Sequence, residues 1–94
     1  MTNDAQPRPY RTTPVFNQDS LPRALRQAHS TREGVWGIIR VLEGEVRYVI
    51  AEPACEEILA SGRPGLIEPG QRHYVEPLGM MRMQVEFYDC PPTK

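Results

Sequence analysis

The pattern of hydrophobic and polar positions predicts a succession of short strands. Between residues 35 and 51, two largely apolar runs lie on either side of Glu43 and Gly44, and as strands they would have one apolar face and one half-apolar face. This arrangement is typical of two antiparallel strands joined by a tight turn. In such a hairpin the residues that share one face, and so form the predicted core, are Ile39, Val41, Val46, Tyr48 and Ile50.

A second hairpin is predicted within residues 65–89, after a short buried strand and a turn at Pro69 and Gly70. Its arms are residues 72–77 and 81–88. With Gly79 at the turn, His73 lies directly opposite Glu86, and opposed residues have Cβ atoms about 4.5–5.5 Å apart. A register shift of one residue would place the two side chains on opposite faces.

The segment 17–29 contains the one stretch with helical character. Ser20 is a suitable N-cap, Pro22 is tolerated in the first turn, and Leu21 and Leu25 form a short apolar stripe. We therefore expect a single short helix before the first long strand.

The remaining segments complete an all-β fold. Pro14 limits residues 10–16 to an edge strand or an extended arm, and residues 57–60 form a weak strand. Ten prolines and seven glycines in 94 residues suit many short strands joined by turns. The prediction is a small antiparallel β-sandwich or barrel with one short N-terminal helix.

Length and composition predict one domain, over residues 10–91. Residues 1–9 are polar with two prolines and are predicted to be a flexible lead-in, and residues 92–94 a tail. Because a core of this size is small, pairing of two copies into a homodimer is expected to add stability.

Charge and cysteine content narrow the possible partners and location. The formal charge of −1 gives no field that would attract nucleic acid, and no apolar run is long enough to cross a membrane. Cys55 and Cys90 do not have metal-ligand spacing and are expected to be free thiols. A cytoplasmic protein is the expectation.

The candidate metal ligands are His29, His73 and Glu86. Two imidazoles and a carboxylate form the facial set that binds non-haem iron and leaves open positions, and zinc accepts the same ligands. The alternative interpretation is structural: His29 caps the end of the short helix, His73 is an ordinary strand residue, and Glu86 pairs with an arginine.

A second hypothesis is a pocket for a small anion. In the predicted first hairpin Arg40 lies opposite Arg47, a repulsive pair unless acids or a bound anion are nearby. Arg82 is a further candidate, and Trp36 and Tyr48 are candidate walls of this pocket. The hypothesis requires no metal.

Enzymatic activity is left open by the sequence. No nucleophile arrangement and no phosphate-binding glycine loop is present. A third hypothesis is a small non-haem iron oxygenase, for which the available substrate-orienting tyrosines are Tyr48, Tyr74 and Tyr88.

Most of the chain resembles a known family. The segments GVWGIIRVLEGEVRYVI, GRPGLIEPGQRHYVEPLG and VEFYDCP, with the lead-in YRTTPVFNQDSLPRALRQAHSTREGVWG, are similar to small cupin-like proteins. These are related to the N-terminal domain of the tellurite-resistance protein TehB and to the YeaR protein. The resemblance covers about residues 10–91.

The resemblance implies a cupin-type β-barrel that is often dimeric, with a role in the response to oxyanion or metal stress. The run from Pro69 to His73 is similar to the second cupin motif, and Gly44 to the glycine that closes the first. The first motif normally supplies histidines, and residues 35–44 contain none. The family comparison therefore implies His29 as the replacement ligand and Glu86 as the late carboxylate. The methyltransferase activity of TehB belongs to a different domain, which we do not expect in this chain.

Overall fold

The computed structural model describes residues 7–92 and contains eight strands and one turn of α-helix. The all-β prediction with one short helix is confirmed. In chain order the elements are β1 Arg11–Thr12, β2 Phe16–Asn17, α1 Arg23–Arg26, β3 Trp36–Glu43, β4 Glu45–Ile50, β5 Cys55–Ala60, β6 Gly65–Ile67, β7 His73–Pro77 and β8 Arg82–Tyr88.

The described strands form two antiparallel sheets. The first sheet has the order β1-β8-β3-β6, with β2 also paired to β8, and the second sheet has the order β5-β4-β7. The two sheets are not closed into a barrel. Of the two predicted architectures, the structure therefore shows the sandwich.

Neither predicted hairpin forms. Strands β3 and β4 are separated only by Gly44, yet β3 pairs with β6 and β8 while β4 pairs with β5 and β7. Strands β7 and β8 likewise lie in different sheets. The hairpin prediction was wrong because short turns also connect strands of two facing sheets, and Gly44 makes such a crossing.

Gly44 allows this crossing because it has no side chain. Its φ of +74° lies in the left-handed region, and a Cβ atom there would lie 2.2 Å from the carbonyl oxygen of Met80. The β3–β4 crossing therefore packs directly against the connection between β7 and β8.

The core lies between the inner faces of the two sheets. The four residues Ile39, Val41, Val46 and Tyr48 are at most 5% exposed, and Ile50 packs against them. The predicted core face is therefore confirmed, although its members come from two facing strands rather than from one hairpin. The buried residues that complete this cluster are Leu21, Leu59, Ile67, Val75, Met81, Met83 and Val85.

The N-terminal segment forms the expected edge strands and a short helix, but the predicted helix cap is not observed. Strands β1 and β2 lie on either side of Pro14 and occupy the outer edge of β8, which confirms the edge-strand prediction. The helix is a single turn, and Ser20 does not cap it; its Oγ instead accepts a hydrogen bond from the amide of Asn17. Leu21 is buried, and Leu25 packs against the core.

The remaining sequence expectations concern the cysteines, membrane-spanning segments and the two ends of the chain. Cys55 and Cys90 are both free and exposed. Among residues 7–92 no helix is long and apolar enough to cross a membrane. Most of the predicted flexible lead-in, residues 1–6, and the last two residues of the predicted tail lie outside the described part of the chain.

Replacing Gly44 by Ala is expected to destabilise the protein more than the matched change Gly62→Ala. Both glycines have positive φ, so each alanine incurs a backbone cost of about 1–2 kcal/mol, but nothing lies within 4 Å of a Cβ at Gly62. The collision with Met80 should add about 1–3 kcal/mol to the Gly44→Ala loss. Chemical denaturation measures both losses in the free energy of unfolding, and equal values would contradict the close approach.

Candidate functional site

A short backbone bridge joins the two histidines. The amide of His29 donates to the carbonyl oxygen of His73 at 3.0 Å, and the amide of His73 donates to that of His29 at 2.8 Å. This isolated bridge attaches the loop after α1 to the edge of β7 that is not paired with β4. A further hydrogen bond, from the amide of Gly70 to the carbonyl of Thr31, holds the same loop.

The bridge brings the two imidazole rings into contact. Their centroids are 4.4 Å apart and the ring planes are inclined by 53°. His73 is 1% exposed and projects from the inner face of the second sheet, where the Tyr48 ring meets it edge-on at 5.7 Å. His29 is half-buried. The structure therefore brings together two of the three predicted metal ligands.

Both rings direct Nδ1 at a backbone carbonyl two residues earlier. His73 Nδ1 lies 2.9 Å from the oxygen of Gln71, and His29 Nδ1 lies 3.1 Å from the oxygen of Gln27. Because a carbonyl only accepts hydrogen bonds, each Nδ1 carries the proton, and the lone pair of a neutral ring is then on Nε2. The Nε2 atom of His73 is buried and has no hydrogen-bond partner in the described part of the chain.

His73 is held in its neutral form. Burial is the main cause that lowers the pKa of His73, and the neighbouring His29 lowers it further, whereas the hydrogen bond to Gln71 opposes the shift. A neutral imidazole with an unpaired Nε2 is the form that can bind a metal ion.

Glu86 does not join the histidines. It pairs with Ile38 and Thr12 in the first sheet, and its Oε1 accepts hydrogen bonds from Arg40 Nε at 3.0 Å and Tyr88 Oη at 2.9 Å. The predicted pairing with His73 is wrong because β7 and β8 belong to different sheets. The structural alternative, in which Glu86 pairs with an arginine, is the arrangement observed. No group of three or more His, Cys, Asp or Glu side chains within residues 7–92 is placed to hold a metal ion.

The predicted arginine pocket also does not form. Arg40 and Arg47 lie on outer faces of different sheets and do not oppose each other. They and Arg82 each bind carboxylates: Arg40 binds Glu86, Arg47 binds Glu56 and Glu76, and Arg82 lies 3.7 Å from Glu43. The prediction was wrong because it depended on the β3–β4 hairpin, whereas each arginine lies beside an acid on a strand next to its own.

The two candidate pocket walls are also apart. Tyr48 is buried in the core, where its hydroxyl donates to the carbonyl of Leu66 at 2.6 Å. Burial raises the pKa of Tyr48 well above its usual range. Trp36 is half-buried and lies opposite Tyr88 in the first sheet. Trp36 and Tyr48 therefore belong to different sheets.

The structure shows a cleft beside the histidine pair that sequence reasoning missed. Its volume is about 430 Å³ and its lining residues are Tyr10, Arg11, His29, Ser30, Thr31, Arg32, Val35 and Phe87. Apart from His29, these residues carry no sequence signal for a site, because their proximity depends on β1 docking at the edge of β8.

The buried His73 ring predicts that the protein loses stability as the pH falls from 7 to 5. Since the folded-state pKa is below the ordinary value of about 6.5, the unfolded chain binds more protons in this interval. The free energy of unfolding should therefore decrease with falling pH, by at most about 1.4 kcal/mol per pH unit for one group.

Denaturant titrations of the wild type and His73→Leu across this interval test the assignment. The decline due to His73 should be absent in the variant. A wild type whose stability is constant from pH 7 to 5, or a variant with an unchanged decline, would contradict it.

Comparison with known proteins places the fold in one family. The family described as "TehB-like domain" matches residues 11–85. Two relatives, from two strains of Haemophilus influenzae, are named probable S-adenosyl-L-methionine-dependent methyltransferase TehB. Each is 36% identical over 39 residues, which is 42% of this chain and 14% of the relative.

Solved structures agree with this placement. The crystal structure of TehB from Haemophilus influenzae superposes with a TM-score of 0.80 and 28% identity, over 89% of this chain and 32% of that one. A crystal structure of an Escherichia coli protein superposes with a TM-score of 0.78 over 97% of this chain and 98% of that one, and at 22% identity it shows the fold alone. This chain therefore corresponds to a minor part of the length of TehB, and it belongs to the TehB-like domain family.

Proposed function

We propose that this domain binds one divalent metal ion through His29 and His73. The observation that carries the proposal is the buried Nε2 of His73, which has no partner within residues 7–92 and lies in a ring that contacts a second imidazole. An unpaired buried polar atom is unfavourable, and a bound cation would relieve that cost.

The hydrogen bonds of both rings support this proposal. A histidine that binds a metal ion usually donates its other ring N–H to a carbonyl or carboxylate, which fixes the tautomer and the ring orientation. His73 and His29 both make this contact, through Gln71 and Gln27. The lowered pKa of His73 also favours the neutral ring that metal binding requires.

The identity of the donors restricts the metal. Imidazole nitrogens suit zinc, iron, nickel and copper better than calcium or magnesium, and zinc and iron remain our leading candidates. Glu86 is not part of this donor set, because Arg40 and Tyr88 hold its carboxylate. A metal bound to two protein ligands would act as a Lewis acid toward a water or an anion that completes its coordination.

We further propose that this metal site serves in the response to oxyanion or metal stress. Membership of the TehB-like family supports this role, since the sequence resembles the N-terminal domain of a tellurite-resistance protein. The proposal concerns the β domain alone. The methyl transfer named for the Haemophilus relatives is not part of it.

Metal titration of the chelator-treated protein tests the site. We expect about one zinc or nickel ion per chain, and an increase in apparent stability of about 2.7 kcal/mol when the free metal is 100 times the dissociation constant. His73→Leu and His29→Ala should each lose most of this stabilisation. Elemental analysis and thermal unfolding with and without metal measure both quantities.

Glu86→Gln is the matched control for the ligand set. It removes the carboxylate first expected as the third ligand, and it should leave metal stoichiometry unchanged even if the altered contact with Arg40 lowers stability. Circular dichroism should verify that each variant is folded. A wild type that takes up no metal, or histidine variants that bind as much as the wild type, would contradict the proposal.

A further inference from the structure

The cleft beside His29 has basic residues and no acidic residue in its lining. Two guanidinium groups, from Arg11 and Arg32, line it together with hydroxyl-bearing residues, and no carboxylate residue is among its lining. Three arginines among the described residues bind acids, namely Arg40, Arg47 and Arg82, and the other arginines make no ion pair. Within residues 7–92, Arg11 and Arg32 make no ion pair.

Strand pairing holds Arg11 in the lining of the cleft. Strand β1 pairs Arg11 with Phe87, and the guanidinium carbon lies 5.8 Å from the centre of the Phe87 ring. Hydrogen bonds from the amide of Tyr10 to Phe87 and from the amide of Thr13 to Val85, both 2.9 Å, fix the strand on either side. An arginine above an aromatic ring keeps its hydrogen-bond donors available at its edge.

The turn that carries Arg32 is also held by hydrogen bonds. The amide of Val35 donates to the carbonyl of Arg32 at 3.0 Å, and the Thr31 hydroxyl donates to the carbonyl of Val35 at 2.8 Å. These contacts close the turn that carries Arg32. The backbone bridge between His29 and His73 anchors the start of the same loop.

We infer that this cleft binds a small organic anion. Its carboxylate or phosphate group would lie between Arg11 and Arg32, whose planar guanidinium groups match such oxygens in bidentate geometry. An apolar portion of the ligand would contact Tyr10, Val35 and Phe87. A volume of about 430 Å³ is within the usual range for small-molecule sites and exceeds the needs of a simple inorganic oxyanion.

This inference does not depend on the proposed metal. The arginines would bind the anion directly, so metal-free protein should also bind it. Tests in metal-depleted buffer therefore separate it from the His29–His73 proposal, and either one can fail without the other.

The experiment compares three probes by calorimetry or by NMR titration at low ionic strength. Phenyl phosphate carries both the anion and the ring, inorganic phosphate carries only the anion, and phenol carries only the ring. The variant Arg11→Gln with Arg32→Gln removes both guanidinium groups. The control Arg23→Gln with Arg82→Gln changes the net charge equally at exposed positions that do not line the cleft.

Phenyl phosphate is expected to bind wild type and control within twofold of each other, and at least tenfold more weakly to the Arg11/Arg32 variant. It should also bind wild type at least tenfold more tightly than phosphate or phenol. Equal binding of phosphate and phenyl phosphate would assign the cleft to an inorganic oxyanion and overturn the inference. Phenol binding as tightly as phenyl phosphate, an equal loss in both double variants, or no binding of phenyl phosphate at millimolar concentration would also overturn it.

Discussion

The antiparallel pairing of β3 with β8 is the constraint on which the rest of the structure depends. The other edge of β8 is taken by β1 and β2, and the other edge of β3 is taken by β6. Both edges of β3 and of β8 are therefore occupied, so β4 cannot pair with β3 and β7 cannot pair with β8. Instead, β4 and β7 form the second sheet together with β5. This arrangement places His73 on an inner face and sends Glu86 to the outer face of the opposite sheet.

The sequence pattern predicted correctly which side chains face the core, but it predicted the wrong partner strands, and the reason is physical. Alternation reports which side chains are buried, and Ile39 and Tyr48 face the core whether their strands form a hairpin or lie in facing sheets. Pairing across strands is decided by edges and turns, which alternation does not encode. Both site predictions that needed a pairing, His73 with Glu86 and Arg40 with Arg47, therefore failed, whereas strand positions were predicted well.

For the candidate site, the sequence likewise identified the residues but did not predict their contacts. Both histidines could be identified from sequence, since they are the only two in the chain. Their contact could not, because it depends on a two-residue bridge between a loop and the edge of β7. The neighbouring cleft could not be predicted for a similar reason, because Arg11 comes close to His29 and Arg32 only when β1 pairs with β8. The imidazole pair and the cleft adjoin each other, because His29 belongs to both.

The candidate site depends on the buried His73 ring, in which Nδ1 carries the proton and donates it in a hydrogen bond to the carbonyl oxygen of Gln71, so that Nε2 is unprotonated. Long-range ¹H–¹⁵N NMR correlation of metal-free protein at pH 7.5 reads the tautomer of each ring directly. We predict the Nδ1–H tautomer for His73, with a through-space contact between its ring and that of His29. A proton on Nε2 of His73, or rings without mutual contact, would contradict it.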